Sequence, residues 1–408
     1  AIGWVGVGIV SGLPFYLEGS IPRLSSAIFE AISGLTTTGA TVIADIEGLT
    51  RATHLWRVIL HWIGGMGIVV LFVAIFPQLG LGGKHLFRTE VAGPINEGLK
   101  PRIKQTAIRL WWVYLFFTAT CTGLLYLVGF PLFDAICHAF STLSTGGFST
   151  KAASVGAFKN GAAEWIIIVF MFAGGINFSL YYGLFRGKFT TLFKNIEVRV
   201  FFAINVVVSL VIFLTTLKGG VDYIAHFRGV LFQTLAVTTT TGLMTDDFDL
   251  YPVVGKYLLF LCMFIGACAG STAGGMKVSR VIIVFKRCLQ ELRLTLHPQE
   301  VVSTKLGDQT ISRAIMSNVF IFVCAYAMLY LFGVLCMFAL GMDWVGAASS
   351  VVACFSSVGP GFGSVGPTQN YEFIHPVGKL ILCFYMIAGR LEIFVLLSIF
   401  TPSFWRKG

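Results

Sequence analysis

Four short strings of glycine and hydroxyl residues recur along the chain: Leu35-Thr-Thr-Thr-Gly39-Ala-Thr41, Leu143-Ser-Thr-Gly146-Gly-Phe148, Thr238-Thr-Thr-Thr-Gly242-Leu243 and Ser356-Ser-Val-Gly359-Pro-Gly361. Their glycines lie 96 to 117 residues apart. Such loops carry no titratable group, so their chemistry is that of neutral oxygen: carbonyls and hydroxyls that can replace the hydration shell of an alkali cation. Glycine supplies the backbone angles that aim carbonyls to one side. An alkali-cation filter needs this loop four times around one axis, and one chain carries all four copies. The expected ion-binding residues are Thr37, Thr38 and Gly39; Ser144, Thr145 and Gly146; Thr240, Thr241 and Gly242; and Ser357, Val358 and Gly359.

The surroundings of the strings repeat as well. Each follows a short amphipathic segment, Arg23–Leu35, Leu132–Leu143, Tyr223–Val237 or Asp343–Phe355, about three turns long and too short to cross a bilayer. Each precedes a polar stretch and a spanning segment with glycine near its middle: Gly64 and Gly65, Gly174 and Gly175, Gly266, and Gly389. The unit is helix, re-entrant half-helix, filter loop, helix. Two spans return the chain to the same side, so the units are parallel and can close around an axis. The fold expected is an all-α polytopic membrane protein of four parallel helix–pore-helix–helix repeats, forming a pseudo-tetrameric potassium-channel-like pore. Its repeats occupy 1–81, 82–185 with a cytoplasmic connector ahead of it, 186–296 with an intramembrane gate loop, and 297–408. Irregular backbone at membrane depth is tolerated where it lines a water-filled cavity. The C-terminal ends of the half-helices favour a cation there.

Composition agrees. Of 408 residues, 56% are hydrophobic and only 12% charged, against about 25% charged in soluble domains. Expected spans include Val58–Phe76, Ile108–Phe130, Trp165–Phe185, Val200–Leu217, Tyr257–Ala267, Ala314–Leu340 and Leu380–Phe400. Ala1–Leu17 is apolar, slightly short and without a charged flank. It reads as the inside of a helix whose upstream sequence is missing, not as a signal peptide. The connectors Gly82–Arg109, Arg186–Arg199 and Lys277–Arg313, with Arg406 and Lys407, hold 19 of the 29 Lys/Arg. The positive-inside rule puts them in the cytoplasm and the strings on the outer side. No clustered basic face with aromatic platforms supports nucleic-acid binding. The nine cysteines show no CxxC spacing, and no nucleophile–base pair, metal spacing or phosphate loop supports an enzyme.

Two further features sit after the filters. Gly266–Gly275 interrupts the third repeat's second span with four glycines, three alanines, a serine and a threonine. Glycine disfavours a helix interior by about 1 kcal/mol relative to alanine. The run reads as a loop beneath the filter, with Gly266, Gly270, Ser271, Thr272, Gly274 and Gly275 as gate residues. Close helix packing through small residues is the competing reading. A Walker A loop is rejected, because Met276 breaks its register and no Ser/Thr follows Lys277. Arg390 stands midway along the last span, where arginine costs at least ~2.5 kcal/mol. Glu392 is two residues away and cannot face it on a helix. Arg390 therefore needs another carboxylate, backbone carbonyls or pore water, and it either raises a barrier to cations beneath the filter or joins two repeats as a buried pair.

With these residues in hand, the chain resembles the membrane subunit of bacterial Trk/Ktr-type potassium uptake systems, closest to the TrkH branch. The resemblance covers nearly the whole chain: the four filters, Gly266-Ala-Cys-Ala-Gly-Ser-Thr-Ala-Gly-Gly-Met-Lys-Val-Ser-Arg280, and Ala388-Gly-Arg390-Leu-Glu392. It implies uptake of K+ across the bacterial cytoplasmic membrane, a homodimer with one pore per protomer, and a cytosolic nucleotide-binding regulatory ring. It gives the glycine run and Arg390 the part of a movable barrier, with K+ as cargo and no organic cofactor in this chain. Members of that branch usually carry an extra hairpin before the first repeat, which is absent here. The residues after the filter glycines are Ala40, Gly147, Leu243 and Pro360, none a tyrosine. Selectivity is therefore expected to be looser than in tetrameric channels, with Na+ only partly excluded. Asp45, Glu47, Asp246, Asp247 and Asp249 either concentrate cations outside the filter or are solvated loop charge. The connector Lys277–Arg313, with Glu291, Arg293 and His297, is a helix entering the cytosol that either docks the ring or is a solvated basic face. Symport with Na+ or protons is the alternative to a gated pore.

Overall fold

The computed structural model describes residues 2–75, 99–185, 187, 190–217, 220, 222–297, 305–307, 309–391 and 393–397. Four short helices form the centre: α2 (Leu24–Leu35), α5 (Leu132–Ser144), α10 (Tyr223–Thr238) and α14 (Trp344–Phe355). At 1.5 Å per residue they are about 18 to 24 Å long, less than the ~30 Å hydrocarbon core. Small residues let them pack on all sides: every residue of α14 from Gly346 to Phe355 is buried. Asp222 and Asp343 cap two of them by accepting from backbone N–H groups in the first turn.

Each short helix is preceded by a longer one and followed by a further helix. The leading helices are α1 (Ile2–Leu17), α4 (Leu99–Leu127), α9 (Ile196–Thr216) and α13 (Arg313–Ala339). The following helices are α3 (Arg51–Ile75), α6 (Gly161–Gly174) continued by α7 (Phe178–Phe185), α11 (Val253–Phe264), and α15 (Pro376–Leu391) continued by α16 (Ile393–Leu397). The short α8 (Thr190–Lys194) leads into α9, and α12 (Val278–Leu296) leaves the third unit. The packing is cyclic. Helix α3 lies on α5, α6 on α10, α11 on α14, and α15 back on α2. Apart from one antiparallel ladder, Lys305–Leu306 with Gln309–Thr310, and an isolated bridge between Ile265 and Met276, the described residues contain no strand.

Among the described residues, three helices are long and apolar enough to cross a membrane, or four with the bent pair α6 and α7. That is fewer than the spans expected. Trp165–Phe185 is not one straight span: α6 and α7 meet at 101°, where Gly175 lies against Ala267 and Phe201 of the third unit and Gly174 against Thr145 of its own loop. Tyr257–Ala267 ends as helix at Phe264, and α15 ends at Leu391. Glu392, Arg406, Lys407 and the boundary between residues 81 and 82 lie outside the described residues.

Candidate functional site

The four central helices end identically. Thr38, Gly146, Thr241 and Val358 each donate a backbone N–H to a carbonyl five residues earlier: Ser33, Ser141, Ala236 and Ala353, all at 2.8 Å. This is the closure of a Schellman-type cap, whose C′ residue must adopt the left-handed conformation. The C′ residues are Thr37, Thr145, Thr240 and Ser357, with φ of 54°, 55°, 55° and 59°. Residues bearing Cβ rarely sit there, yet four do so at one position of four loops. Two residues on, the chain turns positive again at Gly39, Gly147, Gly242 and Gly359, with φ of 81°, 85°, 68° and 96°.

The second string therefore aligns one residue later than expected. Gly147, not Gly146, matches Gly39, Gly242 and Gly359, and Thr145 matches Thr37. Tandem glycines left that register open. The Gly146 N–H bond to Ser141 and the positive φ of Thr145 resolve it, since they match Thr38 to Ser33 and Thr37 in the first loop. The residue after the matched glycine is then Phe148, an aromatic. It is buried, stacked on His61 with centroids 4.1 Å apart, and the Arg57 guanidinium lies over its other side at 4.1 Å.

The loops close a ring. A Cβ added at Gly39 would strike the Gly146 carbonyl, one at Gly147 the Thr241 carbonyl, one at Gly242 the Val358 carbonyl, and one at Gly359 the Thr38 carbonyl. Each loop thus touches the next, and the fourth returns to the first. Close approach without side chains is what these glycines supply. The hydroxyls of Thr37 and Ser357 are fully buried with no partner among the described residues. Thr240 Oγ1 accepts from Gly274 N–H at 2.8 Å, and Thr145 donates to the Ser144 carbonyl.

Buried polar groups that sequence reasoning missed brace the loops from behind. Glu30 and Arg57 pair at 2.9 Å with 0% and 1% of their side chains exposed. Glu30 also accepts from Thr41 Oγ1 and from Val42 N–H, while Arg57 donates to the Ser149 carbonyl. First and second loops are thereby tied together. His61 bonds the Gly34 carbonyl at 2.7 Å and accepts from Phe148 N–H. Tyr371 donates its hydroxyl to the Gly359 carbonyl. Period and composition announce none of these pairs, because the partners are far apart in the chain.

Gly266–Gly275 is irregular between α11 and α12, directly against the helix ends. Thr272 Oγ1 donates to the Leu143 carbonyl, at the end of α5, and to the Gly174 carbonyl, at 3.0 and 3.1 Å. A Cβ on Gly274 would strike the Ser356 carbonyl. Gly270 O accepts from Phe178 N–H at the α6/α7 bend, and Glu197 accepts from Ala269 N–H. The loop thus lies against parts of the second, third and fourth units, which is not a helix–helix contact through small residues. Gly266 packs on the Gly274 carbonyl, whereas Gly64 and Gly389 abut the last carbonyls of α2 and α14, those of Leu35 and Phe355.

Arg390 is 2% exposed. Its Nη1 donates to the Thr272 carbonyl at 2.6 Å and its Nη2 to the Gly64 carbonyl at 3.2 Å; Nε has no partner among the described residues. It ties the fourth unit to the third and the first, but through carbonyls; no carboxylate pairs with it among the described residues. Lys277, buried at the end of the same loop, donates to the carbonyls of Ala273 and Gly274.

The outer acids are mostly committed to local structure. Asp45 accepts from Gly48 N–H, Glu47 pairs with Lys151, and Asp249 holds Lys256 and Gly363 N–H. Asp247 accepts from Asp249 N–H and Thr368. Beyond the ends of the long helices, hydroxyls of Thr53 and Thr50 hold the Glu18 carboxyl below the usual range, and the Gly346 N–H does the same for Asp343.

A ring of four helix-capped loops inside a membrane-length helical bundle defines a cation-transport class of protein. The family model for TrkH, described as a cation transport protein, matches residues 3–407. The chain belongs to that family. It is 40% identical to the Trk system potassium uptake protein TrkH of Salmonella typhimurium, across 99% of this chain and 84% of that protein. It is 35% identical to the Trk system potassium uptake protein TrkG of Escherichia coli K12, across 99% and 84%. The crystal structure of the potassium transporter TrkH from Vibrio parahaemolyticus matches with a TM-score of 0.91 and 38% identity, covering 99% of this chain and 84% of that one.

Proposed function

We propose that this chain admits K+ across the bacterial cytoplasmic membrane through a gated, channel-like path along the axis of the four loops. The observation that carries the reading is the closed ring: four glycine contacts in cyclic order, each reached through the same capped helix end. Neutral oxygens arranged around one axis suit a large, weakly hydrated monovalent cation. The C-terminal ends of four helices add negative potential there. Two relatives named for potassium uptake support K+ as the ion. The four repeats, 1–81, 82–185, 186–296 and 297–408, act as quarters of a pseudo-tetramer.

The ion ligands are the carbonyls and hydroxyls of Thr37, Thr38 and Gly39; Thr145, Gly146 and Gly147; Thr240, Thr241 and Gly242; and Ser357, Val358 and Gly359. Ser144 belongs to the end of α5. Gly266–Gly275 is the gate, and Arg390 latches it while raising the electrostatic barrier. A homodimer and a cytosolic nucleotide-binding regulatory ring complete the assembly. Na+ passes less readily than K+ but is not excluded.

Symport with Na+ or protons finds less support. Two buried carboxylates, Glu30 and Glu164, already hold arginines, and Glu197 accepts from the gate loop. The test is uptake of K+ and Na+ by liposomes holding the purified protein, under imposed voltages. Current that reverses at the K+ equilibrium potential supports the pore. K+ accumulation against its own electrochemical gradient, driven by an imposed proton or Na+ gradient, supports coupling, and no K+ uptake refutes the function.

A further inference from the structure

We propose that Tyr371 is a positioning residue that sets ion discrimination by holding the Gly359 carbonyl, an inference that rests on the cation-filter reading above. The four filter glycines are alike in φ and in their contacts, but not in their carbonyls. Among the described residues, those of Gly39, Gly147 and Gly242 accept no hydrogen bond. The Gly359 carbonyl accepts the Tyr371 hydroxyl at 2.7 Å. The tyrosine is 2% exposed, tilted against Phe29 with centroids 5.5 Å apart. Its backbone N–H donates to the Thr41 carbonyl at 2.8 Å. It therefore sits in the seam between the fourth and first units, joined to a filter carbonyl on one side and to the first loop on the other.

A filter selects by how firmly and how strongly its carbonyls meet the ion. A carbonyl that accepts a hydroxyl has given up part of its field and its freedom to swing. Three walls of the ring thus carry carbonyls unengaged by protein, and the fourth is held. Held in place, the Gly359 carbonyl cannot follow the ring inward around an ion smaller than K+. The deep burial of the tyrosine leaves its hydroxyl no solvent to turn to.

The variant Tyr371→Phe removes the hydroxyl and keeps the ring on Phe29 and the N–H on Thr41. The K+/Na+ permeability ratio in liposomes is expected to fall about five-fold, the factor corresponding to one net hydrogen bond of ~1 kcal/mol. The control Phe29→Leu loosens the same packing and leaves the hydroxyl in place; its ratio is expected to equal that of the parent protein. A second readout needs only folded protein: the difference between K+ and Na+ in raising the Tm should shrink in Tyr371→Phe. An unchanged ratio and Tm difference in Tyr371→Phe overturn the assignment, as does an equal fall in Phe29→Leu, which makes the residue merely structural. Absence of K+ flux in the parent protein overturns the function reading instead.

Discussion

Replacing Arg390 separates two ways in which a buried cation can restrain flux. The guanidinium holds the Thr272 carbonyl in the gate loop and the Gly64 carbonyl on α3, at 2.6 and 3.2 Å. Hydrogen bonds from a charged group contribute about 1.5–3 kcal/mol each; only the one to Thr272 reaches the loop, so the arginine favours the closed loop by up to about 3 kcal/mol. The unpartnered Nε and the burial of the charge offset part of this. A net loss of about 1.5 kcal/mol corresponds to about 10-fold more open protein. Arg390→Ala should raise K+ flux into liposomes by that factor in the absence of any partner. Arg390→Lys is the informative companion. It keeps the charge but cannot span two carbonyls as a planar fork does. A latch predicts that lysine lies near alanine, whereas a purely electrostatic barrier predicts that lysine lies near the parent protein. Parent-level flux in Arg390→Ala, with an unchanged melting curve, would refute both.

Three further outcomes follow from the geometry. Gly147→Ala places a Cβ against the Thr241 carbonyl at φ +85°, a conformation costing roughly 1–2 kcal/mol for an L-residue even in open space; K+-dependent growth of an uptake-deficient strain should fail, and normal growth would return the register to Gly146. Thr272→Val removes the one hydroxyl proton shared between the Leu143 and Gly174 carbonyls, about 1 kcal/mol in all, so flux should rise about five-fold, less than in Arg390→Ala. Arg57→Ala leaves the Glu30 carboxylate buried and unpaired, at about 3–5 kcal/mol; the Tm should fall well below that of Arg57→Ala/Glu30→Gln, and equal Tm values would mean the pair does not brace the loops.

The recurrence of the strings, their short helices and the later glycines was legible because a repeat tells the same story four times. Single strings would have read as turns. The one-residue error at Gly146 arose where a repeat carries two adjacent glycines, and only the hydrogen-bonded end of α5 distinguishes them. The break between α6 and α7 was hidden inside the apolar run Trp165–Phe185, because hydropathy does not register direction. Tyr371, the Glu30–Arg57 pair and Lys277 were invisible as site residues for another reason. A buried polar side chain looks like any surface residue until its partner, here as far as the next repeat, is folded beside it. Arg390 was conspicuous because an arginine in an apolar run needs a partner, and backbone carbonyls are among those expected, although the sequence does not say that they are those of Thr272 and Gly64.

The join between α15 and α2 has a consequence for how the protein is made. Three of the four helix contacts in the ring link units consecutive in the chain, but the last links the end to the beginning. Lys379 donates to Ser26 across 353 residues, and Glu372 accepts from Ser26 across 346 and from Arg23 across 349. Synthesis delivers the N-terminal units first, so this join is the last that can form. Until about residue 379 has left the ribosome, α2 has its final neighbour on one flank only, and the emerging polypeptide is an open arc in the bilayer. A chain cut short anywhere before α15 therefore lacks the one helix contact that completes the circle.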